Sequence, residues 1–159
     1  MTHLAAILPD EAATHALGAA LAKSIEPGLT VFLHGELGAG KTTLVRAVLR
    51  GLGWEGRVKS PTYALVELYD VSRLHLYHFD FYRFRDPREW ILAGFAENFG
   101  GRNVCLVEWP EKAAGSLPPQ DLDVFLDFQD AGRVVRLDSC TPQGERVLAS
   151  LRSHFPVDR

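Results

Sequence analysis

Several features that place a chain in a specialised class are scarce or missing in this sequence. Its 159 residues contain two cysteines, Cys105 and Cys140, which are too few and too far apart for a disulfide framework or a zinc site. No apolar run is long enough to span a bilayer, and the N-terminus lacks the basic segment of a signal peptide. We therefore expect a chain that works in the reducing cytoplasm, without a membrane partner.

An excess of positive charge is also missing. The chain has 17 basic and 20 acidic side chains and a formal net charge of -3, whereas domains that bind nucleic acid through their own charge usually carry a basic face. Internal repeats and low-complexity segments are lacking as well, and 47% of the residues are hydrophobic. This composition predicts one domain over residues 1–159 with a packed core.

The most informative segment is residues 35–42, which read Gly-Glu-Leu-Gly-Ala-Gly-Lys-Thr. They fit the phosphate-binding pattern G-x-x-x-x-G-K-[ST], in which glycines let backbone N–H groups converge on an anion. The apolar run 30–33 precedes the loop, and apolar residues at helical spacing follow it as far as Leu52. This strand–loop–helix context predicts a P-loop that binds a nucleoside triphosphate with Mg²⁺, and ATP hydrolysis as the activity.

Each residue type in the loop has a chemical reason. Gly38, Ala39 and Gly40 supply the backbone cradle, and Lys41, which we expect to face solvent, brings a positive charge to the β- and γ-phosphates. The Thr42 hydroxyl is suited to ligate Mg²⁺. Thr43 is either a further phosphate contact or an ordinary polar helix residue.

Two carboxylates follow strand-like runs and are candidates for the rest of the site. Glu108 ends the apolar run 104–107, where a strand would deliver a Mg²⁺ ligand to the phosphate end of the sheet, although aspartate is more usual there. Asp80 ends the run 74–80 between aromatic residues, which is an unusual place for an idle charge. We assign Asp80 to Mg²⁺ binding or to positioning the attacking water, with an N-cap of the next turn as the alternative. Sequence alone does not decide which of the two carboxylates orients the water.

Two further segments have both a functional and a structural interpretation. Ser60-Pro61-Thr62 lies one helix after the loop, where P-loop proteins place a γ-phosphate sensor, and Thr62 is the sensing residue in that interpretation. Trp109 follows Glu108 and either packs on the nucleotide, marks a partner surface or belongs to the core. His78 is interpreted as a packed polar residue.

The pattern along the chain predicts an α/β, P-loop NTPase-like three-layer fold with a mixed central sheet and helices on both faces. The predicted helices run from the cap Asp10 to about residue 25, from Lys41 to about residue 52, onward from the cap Asp86, and from about 142 to 154. The predicted strands are 30–33, 64–69, 74–80, 104–107, 122–128 and 134–137, with 64–69 and 74–80 joined as a hairpin by a turn at 71–73.

The segments typical of other P-loop classes are missing. No N-K-x-D motif for guanine recognition is present, which disfavours a GTPase. No arginine-rich lid of a small nucleotide kinase follows the second apolar run.

Four ordered motifs together resemble one family. These are G-x-L-G-A-G-K-T at 35–42, S-P-T-Y at 60–63, H-F-D-x-Y-R at 78–83 and V-E-W-P at 107–110, and the chain resembles the TsaE (YjeE) family over nearly its whole length. The helix after Asp86 departs from relatives, which are usually more acidic there.

The resemblance carries specific expectations. It implies a P-loop ATPase that is weak alone and works with TsaB and TsaD in threonylcarbamoylation of adenosine 37 in tRNAs that read ANN codons. It implies that tRNA is met only through that complex. It implies that the positions matching Lys41, Thr42 and Glu108 bind phosphate and magnesium. The position matching Asp80 is then needed for hydrolysis, and the one matching Trp109 is also important. Residues that match positions near the nucleotide are Thr14 and Arg133.

Two other functions stay open at this stage. A stand-alone P-loop kinase would phosphorylate a soluble metabolite without a partner. A nucleotide-gated binding module would bind ATP with negligible turnover.

Overall fold

A computed structural model describes residues 2–71 and 74–156. One seven-stranded sheet forms the centre of the molecule. Its strands are β1 His3–Leu8, β2 Thr30–His34, β3 Val66–Val71, β4 Leu74–Asp80, β5 Val104–Glu108, β6 Leu122–Gln129 and β7 Gly132–Ser139. The helices are α1 Glu11–Ser24, α2 Lys41–Gly51, α3 Glu89–Leu92 and α4 Pro142–His154, with 3₁₀ helices at Phe95–Asn98 and Pro110–Ala113.

The strands lie in the order β1-β7-β6-β2-β5-β4-β3. β2 pairs in parallel with β5 and β6, and β5 pairs in parallel with β4, so the centre of the sheet is parallel. Antiparallel pairs, β3 with β4 and β7 with β1 and β6, complete the sheet on each side. The inner strand β5 is buried over its whole length, which explains why its sequence is a continuous apolar run rather than an alternating one.

The two faces of the sheet are covered differently, and the fold is a mixed-sheet α/β fold with helices on both. On one face, which we call the aliphatic layer, strand residues such as Val31, Leu33 and Leu106 pack with α1, α2 and α4. The opposite face is covered by α3 and the 3₁₀ helices. We call its buried cluster the aromatic layer: Phe32, Phe79, Phe81, Phe84, Trp90, Cys105, Val107 and Ala113.

The N-terminal strand β1 is an element that the sequence did not predict. Its burial alternates, with Leu4, Ala6 and Leu8 facing the core, as expected for a half-buried strand. Its hydrogen-bonded partner β7 lies more than 120 residues away in sequence, from His3 opposite Asp138 to Leu8 opposite Arg133. The pattern is short and made partly of alanine, so only this distant pairing makes it a strand.

Two elements begin later than predicted. The helix expected to open at Asp86 begins at Glu89 and lasts one turn, because Gly94 has a left-handed φ of 77° and ends it. Asp86 does make the predicted capping contact, since its carboxylate accepts the Arg88 N–H at 2.9 Å and Glu89 accepts the Asp86 N–H at 3.0 Å. The strand expected from residue 64 begins at Val66, because Leu65 has a φ of 71° and interrupts the extended chain. The hairpin is present, but Ser72 and Arg73 of its predicted turn lie outside the described residues.

The remaining predicted elements are present, although β7 extends two residues beyond the predicted 134–137 at each end. Asp10 caps α1 by accepting the Ala13 N–H at 2.9 Å, and Thr141 caps α4 through Gly144. Helices α1 and α2 pack closely, since a Cβ built on Gly18 would lie 2.3 Å from the Cβ of Ala47. This contact fixes the position of α2, and with it the residues at the N-terminus of that helix.

Candidate functional site

The glycine loop connects the end of β2 to the start of α2. Gly35, Gly38 and Gly40 have φ angles of 151°, 80° and 105°, which side-chain-bearing residues rarely adopt. A Cβ on Gly35 would also lie 2.5 Å from the carbonyl oxygen of Leu126. No side chain within the described residues caps α2, so the first N–H groups of the helix point into the loop, as at an anion site.

A cleft of about 290 Å³ lies beside this loop. Residues from every motif of the sequence line it: Leu37, Gly38, Gly40, Lys41, Thr42, Thr43, Thr62, Asp80, Tyr82, Glu108 and Trp109. The carboxyl ends of the parallel strands β2, β4 and β5 meet at this edge of the sheet, which is the usual place for a ligand in an open α/β fold.

Lys41 is buried, contrary to the expectation that it faces solvent. Its Nζ donates to the Gly35 carbonyl oxygen at 2.6 Å and lies 3.6 Å from the centroid of the Trp109 ring. Burial lowers the pKa of Lys41, while the carboxylates of Glu108, Glu111 and Asp80 act in the opposite direction. Trp109 itself has a left-handed backbone with a φ of 57°, a strained conformation that is enriched at functional sites.

The two candidate carboxylates are neighbours across the sheet, because Asp80 on β4 is in register with Glu108 on β5. Both are almost fully buried. The Thr42 hydroxyl donates to Glu108 Oε2 at 3.1 Å, so the side chains of the loop threonine and the strand glutamate lie next to each other in the cleft. Burial raises the pKa of Asp80, and the negative charge of Glu108 adds to this effect.

Asp80 makes the capping contact that the sequence offered as an alternative, and it also lines the cleft. Its Oδ1 accepts the N–H of Tyr82 at 2.9 Å and so caps the turn after β4. Its Oδ2 accepts the Thr62 hydroxyl at 3.3 Å, and Thr62 in turn contacts the Ser60 hydroxyl at 2.8 Å. The Ser60-Pro61-Thr62 segment is therefore connected to the carboxylate that lines the cleft.

A second cleft lies on the other side of the loop and contains Thr14 and Arg133. It is lined by the start of α1, the loop and the β6–β7 turn, including Asp10, Gly38, Ala39, Gly40, Thr43 and Gly132. Arg133 donates from Nε to the Ala39 carbonyl at 3.0 Å and from a terminal nitrogen to the Gly38 carbonyl at 3.1 Å. In this geometry Arg133 braces the loop backbone, while Thr14 is buried beside it.

The sequence identified most residues of the site but did not predict how their side chains contact one another. Tyr82 and Leu37 line the main cleft without having been assigned a role. His78, interpreted as a packed polar residue, is fully buried and forms a 2.5 Å hydrogen bond with Glu108. The available signal was alternation, since residues 76, 78 and 80 of one strand must share a face of the sheet.

The donor set fits a magnesium ion bound together with phosphate. Within residues 2–71 and 74–156, no three His, Cys, Asp or Glu side chains are grouped so as to hold a metal ion by themselves. Magnesium is usually held by one or two carboxylates with water and substrate phosphates, and prefers oxygen donors. Glu108, Asp80 and the Thr42 hydroxyl supply oxygen donors next to an anion cradle, which is the combination that such an ion requires.

The structure defines an α/β protein with a mixed central sheet, in which a glycine loop joins a buried strand to the start of a helix. The family model described as threonylcarbamoyl adenosine biosynthesis protein TsaE matches residues 8–135. A protein named tRNA threonylcarbamoyladenosine biosynthesis protein TsaE from Haemophilus influenzae is 40% identical over 155 residues, covering 94% of this chain and 98% of that protein. The chain belongs to the TsaE family, whose members take part in tRNA threonylcarbamoyladenosine biosynthesis.

Two further comparisons agree with this assignment. A protein of the same name from Bacillus subtilis is 39% identical over 118 residues, covering 74% of this chain and 72% of that protein. The crystal structure of Bacillus subtilis YdiB superposes with a TM-score of 0.82 at 30% identity, covering 96% of both chains. The fold predicted from the sequence is thereby confirmed.

Of the helices in the described residues, none is both long and apolar enough to cross a membrane.

Proposed function

We propose that this protein binds ATP with Mg²⁺ and hydrolyses it slowly alone, and that TsaB and TsaD change its rate during threonylcarbamoylation of adenosine 37 in tRNAs that read ANN codons. The observation that carries the proposal is the convergence of Lys41, Thr42, Asp80 and Glu108 in one cleft beside a glycine loop. Family membership supports the pathway. In this proposal tRNA is met only through the complex, and the protein acts in the cytoplasm.

The residues have distinct roles in the proposed reaction. The loop backbone of Gly38, Ala39 and Gly40, together with Thr43, would hold the phosphates, and Lys41 would exchange the Gly35 carbonyl for a phosphate oxygen. Thr42 and Glu108 would hold Mg²⁺, directly or through water. The ion, when bound, would neutralise the charge that develops on the phosphates.

Asp80 is the residue that we assign to the attacking water, with a magnesium-bound water as a second partner. Its raised pKa follows from burial, and a carboxylate in such a position is a stronger proton acceptor than one in solvent. Thr62 would report the state of the γ-phosphate, because it already donates to Asp80. The Trp109 ring packs on the Lys41 amine, so Trp109 would change position when Lys41 moves to the phosphate. Thr14 and Arg133 would lie near the nucleoside.

The deciding experiment measures phosphate release from ATP with Mg²⁺, first with the pure protein and then with TsaB, TsaD and tRNA. We expect slow release alone and a changed rate when the partners are added. A rate that is indifferent to the partners would contradict the proposal and direct attention to a stand-alone metabolite kinase. Tight ATP binding with no release under either condition would indicate a nucleotide-gated binding module.

A matched pair of variants tests the magnesium assignment. Glu108→Gln keeps the shape of the side chain but removes its charge, and we expect it to raise the Mg²⁺ concentration needed for half-maximal release. Glu111→Gln, an exposed change close to the same site, should leave that concentration unchanged. If Glu108→Gln titrates like the wild type, Glu108 is not a ligand of the ion.

A further inference from the structure

A buried histidine joins the aliphatic layer to the proposed magnesium site. On β4, Leu76 and His78 share the face on which Asp80 lies, and both are completely buried. His78 therefore stands between the apolar core and the polar end of the strand. Across the sheet it is paired with Leu106, two residues before Glu108.

The contact between His78 and Glu108 is specific in its atoms. His78 Nε2 lies 2.5 Å from Glu108 Oε2, the same oxygen that accepts the Thr42 hydroxyl at 3.1 Å. A carboxylate that ligates the proposed magnesium ion only accepts hydrogen bonds, so in this assignment Nε2 is the donor. His78 Nδ1 is one of two buried side-chain nitrogens that have no hydrogen-bond partner among the described residues.

The unpaired Nδ1 has a physical consequence. A buried polar atom without a partner costs free energy, and a packing residue at this position would avoid that cost entirely. The histidine thus forms one short hydrogen bond to Glu108, while its other ring nitrogen is buried without a hydrogen-bond partner among the described residues. A glutamate also has one more rotatable bond than the aspartate that is usual at this position, so it gains more from an external contact that fixes its carboxylate.

We propose that His78 is a positioning residue, which donates from Nε2 to hold the Glu108 carboxylate in the orientation that Mg²⁺ requires. The proposal rests on the magnesium site proposed above. Groups that orient metal ligands typically change metal affinity or activity by about 10–100-fold when they are replaced. His78 touches neither nucleotide nor metal in this assignment and acts only through Glu108.

Two amide variants separate the bond from the bulk of the side chain. The amide nitrogen of His78→Gln reaches the position of Nε2, whereas that of His78→Asn reaches only the position of Nδ1. With saturating ATP, we expect His78→Asn to raise the Mg²⁺ concentration for half-maximal phosphate release about 10–100-fold. His78→Gln should remain close to the wild type. ATP binding in EDTA, measured by calorimetry, should be the same in all three proteins.

Leu76→Ala is the matched control, because Leu76 lies on the same face of the same strand and is equally buried. It should lower the thermal stability without moving the Mg²⁺ midpoint. Equal midpoints for the wild type and His78→Asn would overturn the proposal, as would equal increases in the Asn and Gln variants. If the wild type itself releases phosphate without Mg²⁺ dependence, the proposed magnesium site fails and this inference fails with it. An unmoved midpoint in His78→Asn, in a protein that does depend on Mg²⁺, overturns this inference alone.

A second measurement does not depend on the variants folding. Nitrogen-15 NMR of the metal-free wild type should show His78 with its proton on Nε2 and a bare Nδ1. A proton on Nδ1 would overturn the proposal, since Nε2 could then not donate to Glu108.

A double variant tests whether His78 acts through Glu108. In a Glu108→Gln background, His78→Asn should cause no further change in the Mg²⁺ midpoint, and an additional increase would show that His78 acts independently of Glu108.

Discussion

The aliphatic and aromatic layers lie on opposite faces of one sheet, yet they are built and used differently. The aliphatic layer is backed by three helices of 11 to 14 residues, whereas the aromatic layer is closed by a one-turn helix and two short 3₁₀ helices. On the second face, packing between aromatic rings covers the sheet instead of long helices. Phe79 packs against Phe81, Phe95 and Phe99 at centroid distances of 5.1 to 5.6 Å. Both layers reach the cleft, but through different elements. Lys41 and Thr42 begin α2 of the aliphatic layer, whereas the 3₁₀ helix Pro110–Ala113 on the aromatic side begins next to Trp109.

The largest expected effects come from a test of whether the two layers contribute differently to stability and to hydrolysis. It uses two fully buried residues of β4 that face opposite layers. Leu76→Ala should lower the free energy of unfolding by about 2–5 kcal/mol and Phe79→Ala by about 3–5 kcal/mol, because both leave cavities. The expected difference is functional: per folded molecule, Phe79→Ala should reduce ATP hydrolysis more, since Phe79 adjoins Asp80. Urea titration and phosphate release measure the two effects, and equal specific activities of the folded variants would remove the distinction between the layers.

Lys41→Ala tests whether a helix of the aliphatic layer can lose function while keeping its packing. We expect hydrolysis to fall by about 10²–10³-fold, the range found when one electrostatic donor to a developing charge is removed. The melting temperature should not fall, because the change removes an amine whose pKa is already lowered by burial. Lys23→Ala in the last turn of α1 is the control and should leave both quantities unchanged. An unfolded Lys41→Ala protein would show that this side chain is structural.

Asp80→Asn should stabilise the protein while it reduces hydrolysis. A raised native pKa means that the native state binds the proton more tightly than the unfolded state, so the wild type loses stability as pH rises from about 3.9 through the native value. The asparagine lacks this loss and should gain about 0.5–2 kcal/mol at pH 7. Melting temperatures of both proteins at a series of pH values test this, and a gap that widens toward pH 4 would contradict the sign.

Thiol labelling gives the smallest expected effect and tests whether the aromatic layer, which contains Cys105, opens locally. Burial raises the pKa of Cys105 to about 12 and that of Cys140 to about 11, so few thiolates exist at pH 8. We expect slow alkylation of both by iodoacetamide, slower for the buried Cys105, and fast alkylation of both in urea. Native labelling of Cys105 at the rate of a free thiol would show that the aromatic layer opens locally.

Local patterns were sufficient for much of the fold because they carried their own signal. The apolar run before the glycine loop and the run ending at Glu108 became β2 and β5, and Asp10 and Thr141 cap their helices. β1 was missed because its alternation is weak and its pairing with β7 is non-local. The helix after Asp86 was placed too early, since Asp86 makes its capping contact but the regular helix begins only at Glu89 and ends before Gly94, whose φ is 77°.

The candidate site was predictable in its membership but not in its contacts. Motif spacing was enough to select Lys41, Asp80 and Glu108, which do meet in one cleft. The burial of Lys41 against Trp109 and the bond from His78 to Glu108 depend on how neighbouring strands and loops are registered, which no single segment encodes. Their chemical roles stay predictions until the variants are measured.

The close approach of Gly18 to Ala47 has a consequence for how this chain tolerates inherited change. A methyl group at Gly18 would have to push α2 away by about 1 Å, the difference between 2.3 Å and an ordinary contact of 3.4 Å. Because Lys41 and Thr42 begin that same rigid rod, the displacement would reach the phosphate loop, where misplacement by about 1 Å costs roughly 10²-fold in rate. A Gly18→Ala allele would therefore lower catalytic activity, although α1 lies outside the proposed catalytic cleft and the substitution adds only a methyl group.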